Sequence, residues 1–132
     1  MDDLEILMLE DQADDAELIQ IVLNKNFPGC RITRAADKAS FAQALQGGIQ
    51  KFDAILSDWS LPNFDGLSAL DMVRSFGMEK PFIIVSGKIG EEAAIEAIHR
   101  GSYDYVLKDN LSRLPTAILH ALEIFARREK EK

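Results

Sequence analysis

The chain has 132 residues, 47% of them apolar, and a net charge of −7. Length and apolar content suit one globular domain spanning residues 1–132 and exclude a disordered chain. The negative balance argues against general nucleic-acid binding, and no apolar run approaches the ~20 residues of a membrane helix.

The acidic start, MDDLEI, lacks the positive region of a secretory signal. The single cysteine, Cys30, has no internal disulfide partner and reads as a core filler, and no Cys/His set has zinc spacing. A cytosolic protein is expected. Glu5 to Leu9 reads as a first strand. Residues 13–26 read as a helix, with Leu18, Ile19 and Val22 on its inner stripe. Cys30 to Ala35 is a second, partly polar strand. Residues 38–46 are helical, with Phe41 and Leu45 one turn apart and Gly47-Gly48 as the stop. Ala54 to Ser57 is the third strand, and residues 66–76 form a helix with Leu67, Leu70 and Val73 on one face. Phe82 to Val85 is the fourth strand. Residues 91–100 are helical and end at Gly101. Tyr103 to Leu107 is the fifth strand. The last helix is expected from about Leu111, with Leu114, Ile118, Leu122 and Phe125 inward.

Five βα units in this order predict an α/β fold: a (βα)5 doubly wound, five-stranded parallel sheet with helices on both faces. Such sheets carry their chemistry at the carboxyl ends of the strands. There the sequence places Glu10-Asp11 after strand one and Asp58 after strand three. Ser86-Gly87 follows strand four, and Lys108-Asp109 follows strand five. If strands one, three, four and five lie side by side, three carboxylates, a hydroxyl, an ammonium and the Gly87 N–H share one cleft. Clustered carboxylates repel one another unless compensated. Lys108 supplies one positive charge, and a hard divalent cation such as Mg²⁺ supplies two more through carboxylate oxygens. The resulting cationic set suits a phosphoryl group, with Asp58 as the nucleophile.

At these residues the chain resembles the receiver domain of two-component response regulators, the flavodoxin-like or CheY-like fold. The resemblance covers the whole chain: the acidic pair Glu10-Asp11, the stretch ILSDWSLPNFDG around Asp58, the strand ending IIVSG, and the ending DYVLK. It implies that Asp58 accepts a phosphoryl group from a histidine kinase phosphohistidine. It implies Mg²⁺, or Mn²⁺ in its place, on Asp11, Asp58 and the Ser60 carbonyl, with Glu10 acting through water. Ser86 and Lys108 would hold the phosphoryl oxygens. Tyr105 matches a switch aromatic that turns inward as Ser86 moves; a half-buried core aromatic is the other reading of that residue. Three positions depart from the commonest pattern. Glu10 stands where Asp is usual, and Ser86 where Thr is. Asp109 replaces the proline that usually follows the lysine in a cis peptide. A cis bond before a non-proline residue costs about 3 kcal/mol, so a trans bond is expected, with Asp109 free to cap the last helix.

Several residues have plainer readings. Asp14, Asp15 and Glu17 read as solvated acids of the first helical turn. Trp59 and Phe64 are either partner contacts or loop packing, and Asp65-Gly66 is a turn into the third helix. His99 and His120 receive no role. Among rival functions, a flavin-phosphate module needs a small, donor-rich loop after strand one, where Glu10-Asp11-Gln12 stands. A haloacid-dehalogenase-type phosphatase needs its nucleophilic Asp after strand one. A pure interaction module leaves Asp58, Ser86 and Lys108 without a purpose. The expected partners are a sensor histidine kinase or histidine phosphotransfer protein and a downstream target, with no direct nucleic-acid or membrane contact. The charged end ARREKEK fits either a stand-alone regulator or phosphorelay shuttle, or a module cut from a hybrid kinase or multidomain regulator. The fourth helix, fifth strand and fifth helix form the expected reading surface.

Overall fold

The structure is a computed structural model and describes residues 4–77, 79–87 and 90–130. Five parallel strands form one sheet: β1 (Glu5–Leu9), β2 (Arg31–Ala35), β3 (Ala54–Ser57), β4 (Phe82–Ser86) and β5 (Asp104–Leu107), in the order β2-β1-β3-β4-β5. The helices are α1 (Ala13–Asn26), α2 (Lys38–Gln46), α3 (Gly66–Ser75), α4 (Glu91–His99) and α5 (Leu114–Lys130). A two-residue ribbon, Ser60–Leu61 against Phe64–Asp65, lies between β3 and α3.

Alternation along the strands splits the core in two. Ile6, Met8, Leu56, Ile83, Val85 and Val106 face α1 and α5. Leu7, Leu9, Ile55, Phe82 and Ile84 face the side of α2 and α3, where Phe41, Leu45, Leu70 and Val73 cover them. β3 and β4 are buried along their whole length, as expected of central strands covered on both faces. At the start of α2, the Asp37 carboxylate accepts from Ser40 N–H and the Ser40 hydroxyl returns toward the Asp37 backbone, a closed capping box. Asp65 caps α3 by accepting from Ser68 N–H.

The structure corrects three expectations beyond one-residue shifts at element ends. The inner stripe of α1 is Ala16, Ile19 and Leu23, while Leu18 is 54% exposed. α5 starts at Leu114, because a 3-10 turn over Lys108–Arg113 intervenes, with Asn110 outside helical geometry. Asp109 therefore lies inside that turn and does not cap α5. The Lys108–Asp109 bond is trans. Among the described residues, no helix is long and apolar enough to cross a membrane.

Candidate functional site

With β1 and β3 adjacent and β4 and β5 beside them, the carboxyl edge assembles the predicted groups. Asp58 is 7% exposed; its backbone N–H donates to Leu9 O at 3.0 Å, locking the end of β3 to β1. Its Oδ1 accepts from the Trp59 N–H at 2.7 Å and its Oδ2 from Lys108 Nζ at 2.9 Å. Glu10 is 1% exposed, with Oε2 accepting from the Gln12 N–H at 3.1 Å. Its Oε1 lies 2.7 Å from Lys108 Nζ as an ion pair. Glu10, Asp11 and Asp58 each offer a carboxylate oxygen within 4.8 Å of the others.

This donor set fits a hard divalent cation. All its atoms are carboxylate oxygens, as Mg²⁺ prefers, and they come from three acids that share one ammonium between two of them. Burial pushes the Glu10 carboxyl above its ordinary value; Lys108 and the Gln12 N–H oppose this, and the nearby Asp58 adds to it. Burial alone would lower the Lys108 ammonium. Its contacts with Asp15, Glu10 and Asp58 outweigh that and hold it above the ordinary lysine value.

Ser86 is 3% exposed at the end of β4. Gly87 lies beside Lys108: a methyl group on its Cα would come within 3.9 Å of Lys108 Cδ. Ser60 is exposed in the ribbon just beyond Asp58. Tyr105 stands apart from the cluster, 37% exposed, lining a groove with Ala94, Ile95, Ile98 and His99. β5 is an edge strand and leaves this ring partly exposed in that groove. Trp59 and Phe64 are partly buried against the α2–α3 side of the core. Cys30 is partly buried against the other side, where burial raises its thiol above the ordinary value.

Two further residues support the site without any mark in the sequence, Asp15 and Arg34, and Gly66 does so from the expected turn into α3. Asp15 is no free solvated acid: its Oδ2 accepts from Lys108 Nζ at 2.8 Å. Arg34, at the end of β2, donates to the carbonyls of Glu10 (3.0 Å) and Asp11 (3.2 Å), fixing the loop that carries the acid pair. Gly66 is required by space: a Cβ there would sit 3.0 Å from Asp58 O, 3.2 Å from Ile84 Cδ1 and 3.3 Å from Trp59 Cα. The signal for Gly66 was its place just after the acceptor loop. Nothing local marked Asp15 or Arg34.

The sequence profile of the response regulator receiver domain matches residues 6–119. The chain belongs to this family of two-component signalling domains. Transcription factor SKN7 of Saccharomyces cerevisiae is 32% identical over 78% of this chain and 16% of its own length. The nitrogen assimilation regulatory protein NtrX of Azorhizobium caulinodans is 32% identical over 90% of this chain and 26% of its own. The chain thus spans about a sixth to a quarter of these two relatives. Among solved structures, a response regulator receiver domain protein from Clostridium thermocellum aligns with a TM-score of 0.84 at 20% identity, covering 98% of this chain and 99% of that one. The receiver domain of Francisella response regulator 1452 aligns at 0.78 and 25% identity, covering 92% and 98%.

Proposed function

We propose that this chain is a phosphoacceptor in which Asp58 takes a phosphoryl group from the phosphohistidine of a sensor histidine kinase or histidine phosphotransfer protein. The observation that carries this is the position of Asp58 at the end of β3, one oxygen on a backbone N–H and the other on the Lys108 ammonium. An Asp58 carboxylate oxygen attacks phosphorus in line; the P–O bond forms, the P–N bond to imidazole breaks, and the imidazole leaves with a proton. Glu10, Asp11, Asp58 and the Ser60 carbonyl would hold Mg²⁺ or Mn²⁺, which when bound neutralises charge on the phosphoryl oxygens. The Ser86 hydroxyl, the Gly87 N–H and Lys108 contact those oxygens, with Lys108 turning to them from the carboxylates.

The phosphoryl group draws Ser86 toward it and Tyr105 inward, biasing the face formed by α4, β5 and α5 between two states. That face already exposes Ile95, Ile98, Tyr105 and Leu107, which suits a protein partner better than nucleic acid or membrane. The domain catalyses its own phosphorylation and slow hydrolysis and is otherwise a cytosolic signalling element, standing alone or as a module of a larger regulator or hybrid kinase. The test is intact mass after acetyl phosphate and Mg²⁺. A gain of one phosphoryl group, lost in Asp58→Asn and with chelator, is expected; a gain that survives Asp58→Asn refutes the assignment.

A further inference from the structure

The phosphoacceptor reading leaves one charged contact of Lys108 without a role. Asp15 lies in the first turn of α1, and its Oδ2 accepts from Lys108 Nζ at 2.8 Å, while Asp58 Oδ2 accepts from the same nitrogen at 2.9 Å. Glu10 Oε1 is 2.7 Å from it as well. One ammonium is divided among three carboxylates on three elements. Asp15 is the most exposed of them, with 35% of its side-chain surface open, against 9% for Asp58 and 1% for Glu10.

Resting on the receiver reading, we infer that Asp15 is a positioning residue that tethers Lys108, easing entry of the divalent cation and restraining capture of the phosphoryl group. Nζ lies within hydrogen-bond distance of oxygens from two of the three acids that fit the cation, so it opposes a second positive charge there. The share of Nζ held by Asp15 weakens that opposition, and the Asp15 charge itself attracts the ion. Both effects favour metal. The phosphoryl group is anionic and has to recruit Nζ. Asp15 competes with it for the ammonium and repels it. Both effects disfavour the phosphoryl group. A merely structural acid in a first helical turn contributes to helix stability and would move both ligands in one direction.

The test uses the full chain and two probes. Mg²⁺ is titrated alone, followed by fluorescence of Trp59, whose N–H bonds Asp58, and by calorimetry. Beryllofluoride is then titrated at saturating Mg²⁺. Asp15→Asn is expected to weaken Mg²⁺ about two- to five-fold and to tighten beryllofluoride by a similar factor, the range for an ion pair of this exposure. Asp15→Glu, which keeps the charge, should restore both toward wild type. Asp14→Asn, an exposed neighbour, controls for net charge. Affinities that move in the same direction in Asp15→Asn, or that match Asp14→Asn, overturn the tether. A wild-type chain that binds neither probe overturns the receiver reading itself.

Discussion

Replacing Lys108 with methionine keeps most of the side-chain volume and removes the only ammonium seen among Glu10, Asp15 and Asp58 in the described residues. The magnitude follows from burial. Exposed ion pairs are worth at most about 1 kcal/mol, whereas stripping one partner from a buried pair costs about 3–5 kcal/mol. Here Lys108 has 15% of its side-chain surface exposed, Glu10 1% and Asp58 9%, which is close to the buried limit. Two features hold the cost below that limit. Asp15 is open enough for water to screen it, and loss of the ammonium pushes the Glu10 carboxyl, already raised by burial, further up, which eases the cost of its charge. A loss of roughly 2–3 kcal/mol at neutral pH without metal is expected. For a chain of 132 residues, an unfolding entropy near 2.1 cal/mol/K per residue turns this into a fall of about 7–11 °C in Tm. Mg²⁺ should reverse the loss more than it stabilises wild type, because it no longer has to displace an ammonium from Glu10 and Asp58, and its stabilisation grows with affinity. Thermal scans of both proteins in chelator and in a Mg²⁺ series decide the matter. Equal Tm values in chelator, or equal Mg²⁺ increments, would refute the claim that Lys108 compensates these carboxylates.

Other expectations test neighbouring parts of the site. Because the Glu10 pKa is raised on folding, its stabilising contribution is full below the ordinary glutamate value of 4.5 and is lost as pH rises through the folded value. Urea titrations in chelator should therefore show wild-type stability falling relative to Glu10→Gln as pH rises above 4.5; parallel profiles would contradict the shift. Gly66→Ala places a Cβ against backbone at Asp58 and should destabilise by about 1–3 kcal/mol, read by urea denaturation, with an unchanged midpoint as the contrary result. Beryllofluoride with Mg²⁺ should shift amide NMR signals at Ser86, Tyr105 and along α4; shifts confined to the loop after β3 would argue against a switch face.

The central part of the fold was legible because burial on both faces leaves a plain mark. AILS and FIIVS are apolar runs with no helical period, and each ends at a group that chemistry can use. Helix faces were harder. α1 offers two apolar stripes of similar weight, one with Ile19 and Leu23 and one with Leu18 and Ile21; the chain alone does not say which meets the sheet, and the structure buries the first. The start of α5 was missed although Pro115 in its first turn was a usable signal. The Asp15–Lys108 contact joins residues 93 apart. It depends on α1 and the turn after β5 packing together, which no local pattern encodes.

The electrostatic design of the edge explains why its support comes from backbone and from β2. Three carboxylates, Glu10, Asp15 and Asp58, share one ammonium, and Asp11 adds a fourth negative charge beside Glu10 and Asp58. An extra cation inside that cluster would quench the demand for a divalent ion, so positive charge has to enter without occupying the carboxylates. Arg34 does this. Its guanidinium is spent on the carbonyls of Glu10 and Asp11, holding the acid pair in place while leaving those side chains to the cleft. The Trp59 N–H on Asp58 Oδ1 serves the same end with a dipole instead of a charge. Among the described residues Lys108 alone offsets the repulsion of these acids with a full charge, and the remainder favours a divalent ion at this edge. Arg34→Met should accordingly weaken Mg²⁺ binding by loosening the loop, although it removes a positive charge from beside the site. Tighter Mg²⁺ binding in that variant, measured by calorimetry, would show that net charge and not placement governs this edge.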